Sequence, residues 1–86
     1  MLEEIRTKIS QEIKDEIDFS FSIVDRIEEL LNKKKMSRKD LANALGKKES
    51  EISKWMTGTH NFTIKTIKKI ERALGENIII VITRTI

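Results

Sequence analysis

The chain reads as a mainly α protein of five helices, opened by an amphipathic helix and closed by one β-strand. Three observations predict this. There is no proline and there are only three glycines, Gly46, Gly58 and Gly75, so helix breakers are few. Apolar residues recur at steps of three and four along most of the chain, the period of helices with one covered face. Only the last stretch, Asn77 to Ile86 (NIIIVITRTI), carries strong strand propensity.

Leu2, Ile5, Ile9, Ile13 and Ile17 form one stripe on a helix over roughly residues 2–17. That stripe covers the domain that follows, a second copy or another protein. Asp18-Phe19-Ser20-Phe21-Ser22 departs from the period. Its alternation fits a short strand, but a helix junction is preferred, because Ser20 or Ser22 could cap the next helix. Ile23, Val24, Ile27, Leu30 and Leu31 then make the apolar face of a second helix, ending near Lys34. Lys33, Lys34 and Lys35 suit the negative end of its dipole.

Ser37 opens a third helix, with Asp40 three residues on in a capping-box pattern. Leu41, Ala42 and Leu45 share an arc, and Gly46 is placed to end the helix in a left-handed conformation. A fourth helix, Glu49 to Met56, follows after only Lys47 and Lys48. At about 100° per residue, Ile52, Trp55 and Met56 fall on one arc. Ser50, Ser53 and Lys54 fall opposite, with Glu49 at their edge. One side of this helix is therefore expected in the core, Trp55 included, and a short polar side with one long cation is left free. Thr57 to Asn61 is a loop, and Asn61 or Thr63 caps a fifth helix running to Leu74. Ile64, Ile67, Ile70 and Leu74 are expected to point inward, with Lys65, Lys68, Lys69 and Arg72 on the opposite arc. Gly75 stops the helix.

In the tail, Ile78, Ile79, Ile80, Val81 and Ile82 are apolar on both faces of a strand. A strand cannot satisfy its backbone alone, and an exposed apolar edge invites pairing. A second copy is the simplest partner, giving a dimer with one antiparallel strand from each chain; a different protein or the segment from Phe19 to Val24 are the alternatives. The chain thus divides into an N-terminal helix (1–20), a central domain (21–75) and a dimerisation tail (76–86).

Composition limits the function. A chain of 86 residues without cysteine has neither disulfides nor thiolate metal sites to add stability, which favours oligomerisation. One histidine, no glycine-rich phosphate loop and no metal-ligand cluster argue against an enzyme, a cofactor, a metal or a small-molecule substrate. No apolar run is long enough to cross a membrane, and the N-terminus bears charges of both signs, unlike a signal peptide; the expected location is cytoplasmic. Residues 1–20 hold three basic and six acidic side chains, whereas residues 37–75 hold nine basic and four acidic ones. An acidic head on a basic body suggests that the body meets a polyanion.

On these residues Ser37 to Leu74 resembles the Cro/C1-type helix-turn-helix of phage repressors and Xre-like regulators, a lambda-repressor-like domain. The likeness rests on the Ser37 cap, Leu41-Ala42, Leu45-Gly46 at the turn, Ile52 and Trp55, Gly58, and the closing helix from Phe62 to Leu74. It covers about residues 22–75. The chain departs from the pattern at Lys48, where the family often has Ser or Thr as a cap. The resemblance implies a dimeric regulator of transcription on double-stranded DNA. It would bind an inverted repeat with recognition helices about 34 Å apart. It implies that Glu49, Ser50, Ser53 and Lys54 lie nearest the base edges. It implies phosphate contacts for Arg38, Lys39, Lys48, Thr57, His60, Asn61, Thr63 and Lys65. The segment from Ile52 to Gly75 also resembles antitoxins of two-gene toxin–antitoxin operons, which adds autoregulation and a toxin protein to the expected functions and partners.

Overall fold

The computed structural model describes residues 2–58 and 60–83, with side chains from Ser10 onward. Four helices follow one another: α1 (Leu2–Lys34), α2 (Arg38–Leu45), α3 (Glu49–Trp55) and α4 (Ile64–Leu74). The expected count of five is corrected, because the first two helices are one. The reason lies in residues 18–22. They hold no glycine or proline, and Ile13, Ile17, Phe21, Val24, Ile27 and Leu31 keep a three-and-four step straight through them. The Ser22 hydroxyl donates to the Asp18 carbonyl (3.0 Å), bonding back onto its own helix instead of capping a new one. The stripe side chains Leu2, Ile5 and Ile9 lie outside the described residues.

The two halves of α1 have different surroundings. Ile23, Val24, Ile27, Leu30 and Leu31 are buried, whereas every residue from Ser10 to Phe19 is exposed. α1 therefore roots its second half in the domain and carries residues 10–19 into solvent. Lys35, in the left-handed region (φ 55°), ends it, and the Met36 amide closes onto the Leu31 carbonyl (2.9 Å).

α2 begins as expected. The Ser37 hydroxyl accepts from the Asp40 amide, and the Asp40 carboxylate accepts from the Ser37 amide (2.8 Å). The Ser37 amide first, and then the Ser37 hydroxyl, hold the Asp40 carboxyl below its ordinary value. Gly46 ends the helix at φ 66°. α2 packs on both α3 and α4. The core joins the rooted half of α1 to Leu41, Ala42, Ile52, Trp55, Met56, Ile67, Ile70 and Leu74.

One expectation about α4 is corrected, and the expected strand of the tail does not form within a single chain among the described residues. Ile64 is 80% exposed, because it opens the first turn of α4 and lies beside Ile79 and Val81 instead of under the core. Glu71 takes an inward position on the same helix and is only 8% exposed. The described residues of the tail form no strand within one chain. A strand needs a neighbouring edge, and the amides of Ile78 and Ile79 instead donate to the Glu71 carboxylate. Residues 84–86 of the expected strand lie outside the described residues.

Candidate nucleic-acid interface

α3 is short, and its surroundings fix its orientation. Ile52 and Trp55 are buried on one side, with Met56 beneath its C-terminal end. The turn through Gly46 sets its angle to α2, because the Lys47 amide bonds the Ala42 carbonyl (2.9 Å) and Lys48 begins α3 directly. Glu49, Ser50, Ser53 and Lys54 stand exposed on the outer side of α3. Lys48 occupies the N-cap with extended backbone and no side-chain capping bond, the consequence of having an ammonium where a hydroxyl would accept.

The loop after α3 is built on aromatic contacts that the sequence pattern did not reveal. His60 stacks on Trp55 (ring centroids 5.7 Å apart) and meets Phe62 edge-on (4.8 Å). The Lys47 ammonium lies 6.0 Å from the centre of the Trp55 ring and 3.6 Å from Glu51. Gly58 is buried at φ 83°, and the Phe21 ring of α1 occupies the space that a Cβ there would need. The loop following α3 is thus pressed against the long first helix. A groove of about 470 Å³ runs along this junction, lined by Glu16, Ile17, Phe19, Ser20, Gly58, His60 and Asn61.

The phosphate candidates fall into distinct settings. Lys39 and Lys65 are exposed in the first turns of α2 and α4. Arg38 is tied to Glu28 of α1 through Nη2 (2.7 Å) and Nε (3.2 Å). The Thr57 hydroxyl donates to the Lys54 carbonyl (2.8 Å). Thr63, and not Asn61, caps α4 by accepting from the Thr66 amide (3.1 Å). Asn61 is exposed beside that cap, and His60 is half-buried by its ring contacts. Lys48, Lys54 and Lys65 are exposed, and such ammonium groups suit an anionic partner.

A two-helix unit with a glycine turn, a buried back and a free polar front on its second helix is the geometry of a helix-turn-helix. A family model described as helix-turn-helix matches residues 27–80. The chain belongs to the Cro/C1-type, Xre-like helix-turn-helix family. No curated protein and no solved structure matches. The family assignment makes the chain a DNA-binding regulator. The matched span of this helix-turn-helix begins at Ile27, in the rooted half of α1, and ends at Ile80, just past the tail contacts with Glu71. The exposed stretch of α1, residues 10–19, is outside it. Among the described residues, no helix is long and apolar enough to cross a membrane.

Proposed function

We propose that this protein is a transcriptional repressor that binds an inverted-repeat operator as a dimer and controls its own promoter. The observation that carries the reading is the free outer side of α3, held by a buried back within a helix-turn-helix. In this reading α3 enters the major groove. Lys54 donates to guanine O6 or N7, Ser50 and Ser53 read weakly, and Glu49 accepts from a cytosine amino group. Lys39, Lys48, Asn61, Thr63 and Lys65 hold phosphates, joined by Arg38, Thr57 and His60 at the edges. Residues 21–75 read DNA. Residues 76–86 pair with a second copy through Ile80, Val81 and Ile82, whose side chains are exposed, with Ile78 and Ile79 anchoring the tail. The work is done in the cytoplasm and requires no cofactor.

The test is binding of the full chain to the DNA upstream of its own gene over a range of salt. Log K is expected to fall by about 0.9 per log unit of salt for each phosphate contacted. Affinity that does not change with salt would end the DNA reading. Lys54→Ala is expected to relax preference at one base pair per half-site, losing about 1–3 kcal/mol of discrimination there; an unchanged preference removes Lys54 from the reading set.

A second reading has its own observation. Ile13, Ile17 and Phe19 are exposed large apolar side chains on a half-helix that also bears Glu12, Asp15, Glu16 and Asp18. Such a surface suits a basic partner protein, as in an antitoxin that holds its toxin on residues 1–20. Co-purification with a small basic protein encoded next door would favour it, and recovery of the chain alone would favour the repressor.

A further inference from the structure

We propose that Glu71 is a latch that fixes the tail on the body, so that pairing between copies starts at Ile80 and the recognition helices are held rigidly to the dimer seam. The second half of this rests on the dimeric repressor reading above. The first half stands on contacts within one chain.

Glu71 lies on the face of α4 that also buries Ile67, Ile70 and Leu74, where an apolar residue would serve packing. A carboxylate at such a place loses water and is kept charged only by partners. It has three. Oε2 accepts from the amides of Ile78 (2.8 Å) and Ile79 (3.1 Å), and Oε1 lies 3.0 Å from the Lys68 ammonium. Two further links act on the residues just before. Arg26 donates through Nε and Nη2 to the Asn77 carbonyl (3.1 and 3.0 Å), and Lys33 pairs with Glu76 (2.7 Å). Residues 76–79 are therefore fastened to both α1 and α4, while Ile80, Val81 and Ile82 stand exposed.

The consequence is mechanical. Gly75 is a left-handed glycine and a natural swivel (φ 71°). With Glu71, Arg26 and Lys33 all unable to hold residues 76–79, two bodies joined by their tails would turn freely about it. With the latch, the amides of Ile78 and Ile79 are already used, the first free ones belong to Ile80 and beyond, and each body moves with the ribbon. A two-fold operator requires a fixed separation of recognition helices, about one turn of DNA, and the latch supplies that stiffness.

The experiment uses the full ¹⁵N-labelled chain as wild type, Glu71→Gln and Glu71→Ala. Amide exchange is read at Ile78 and Ile79, with Leu30 and Ile70 as controls for the fold. Protection at Ile78 and Ile79 is expected to fall at least about tenfold in Glu71→Ala, the loss due to hydrogen bonds to a charged group. Glu71→Gln keeps one acceptor oxygen and should fall between. Sedimentation should give a dimer for wild type and for Glu71→Ala combined with Arg26→Ala and Lys33→Ala, yet the rotational correlation time of the body in this combined variant should drop toward that of a monomer. Unchanged protection in Glu71→Ala would overturn the latch. A body that tumbles as slowly as wild type would overturn its stiffening role. A wild-type chain that sediments as a monomer would instead refute the dimer reading and leave the latch to be judged by exchange alone.

Discussion

At the residue scale, the strictest requirement falls on Gly58. It combines a left-handed backbone with the Phe21 ring where a side chain would begin. Any Cβ must meet both penalties, roughly 1–2 kcal/mol for the backbone and about 1–3 kcal/mol for overpacking. Gly58→Ala is expected to lower the melting temperature by about 4–8 °C for each kcal/mol lost. Phe21→Ala in the Gly58→Ala background should recover part of the loss, because the two residues share one space. Thermal melts of the four chains test this, and strictly additive effects would refute the contact. The glycine was legible in the sequence as a family landmark; its partner was not, because nothing local links positions 21 and 58. The same holds for Glu71. A carboxylate between two lysines and an arginine on a helix reads as surface charge, and only the returning tail shows what it binds.

At the scale of elements, the caps and turns were the most legible features. Ser37 with Asp40, and Gly46 and Gly75, act through bonds closed within a few residues, so sequence spacing is enough to locate them. The junction expected at residues 18–22 failed for a related reason. Ser20 and Ser22 have the chemistry of helix caps, but the longer stripe from Ile13 to Leu31 passes through them and prevails. Ser22→Pro separates the two possibilities. Inside a continuous helix, proline removes a bond and clashes with the preceding turn, which costs about 3 kcal/mol or more; at the first turn of a new helix it would be tolerated. Loss of helical signal and stability by circular dichroism is expected, and a neutral substitution would restore the two-helix arrangement. The offered side of α3 was also legible, because the alternation of buried and exposed positions on one short helix follows from its period alone.

For the whole molecule, stability should fall on the acid side. The carboxyls of Asp40, Glu71 and Glu76 are all held below their ordinary values of 3.8, 4.5 and 4.5. For Glu71, burial alone would raise the value, but the amides of Ile79 and Ile78 and the Lys68 ammonium outweigh it. For Glu76 the hydrogen bond from Lys33 is the main cause. A carboxyl with a depressed value in the folded state releases its proton more readily there than in the unfolded chain. Its contribution is therefore present above the unfolded value and lost as the pH falls through the folded one. Urea midpoints should be level from about pH 5.5 to 7.5 and decline below about 4.5, and the decline should be shallower in Glu71→Ala. What the sequence could not convey at this scale is which ends meet. The charge split between head and body was visible, but the contacts joining Arg26 to Asn77 and Lys33 to Glu76 depend on the finished fold.

The Arg26–Asn77 clasp also bears on how the protein is made. Its partners are 51 positions apart, so α1 leaves the ribosome with its apolar face complete and with nothing yet to cover the rooted half. At ordinary synthesis rates the interval before Asn77 follows is about 3–10 s. The core residues of α2, α3 and α4 that cover the rooted half all precede Asn77, so the clasp closes last, on a body whose apolar face is already enclosed.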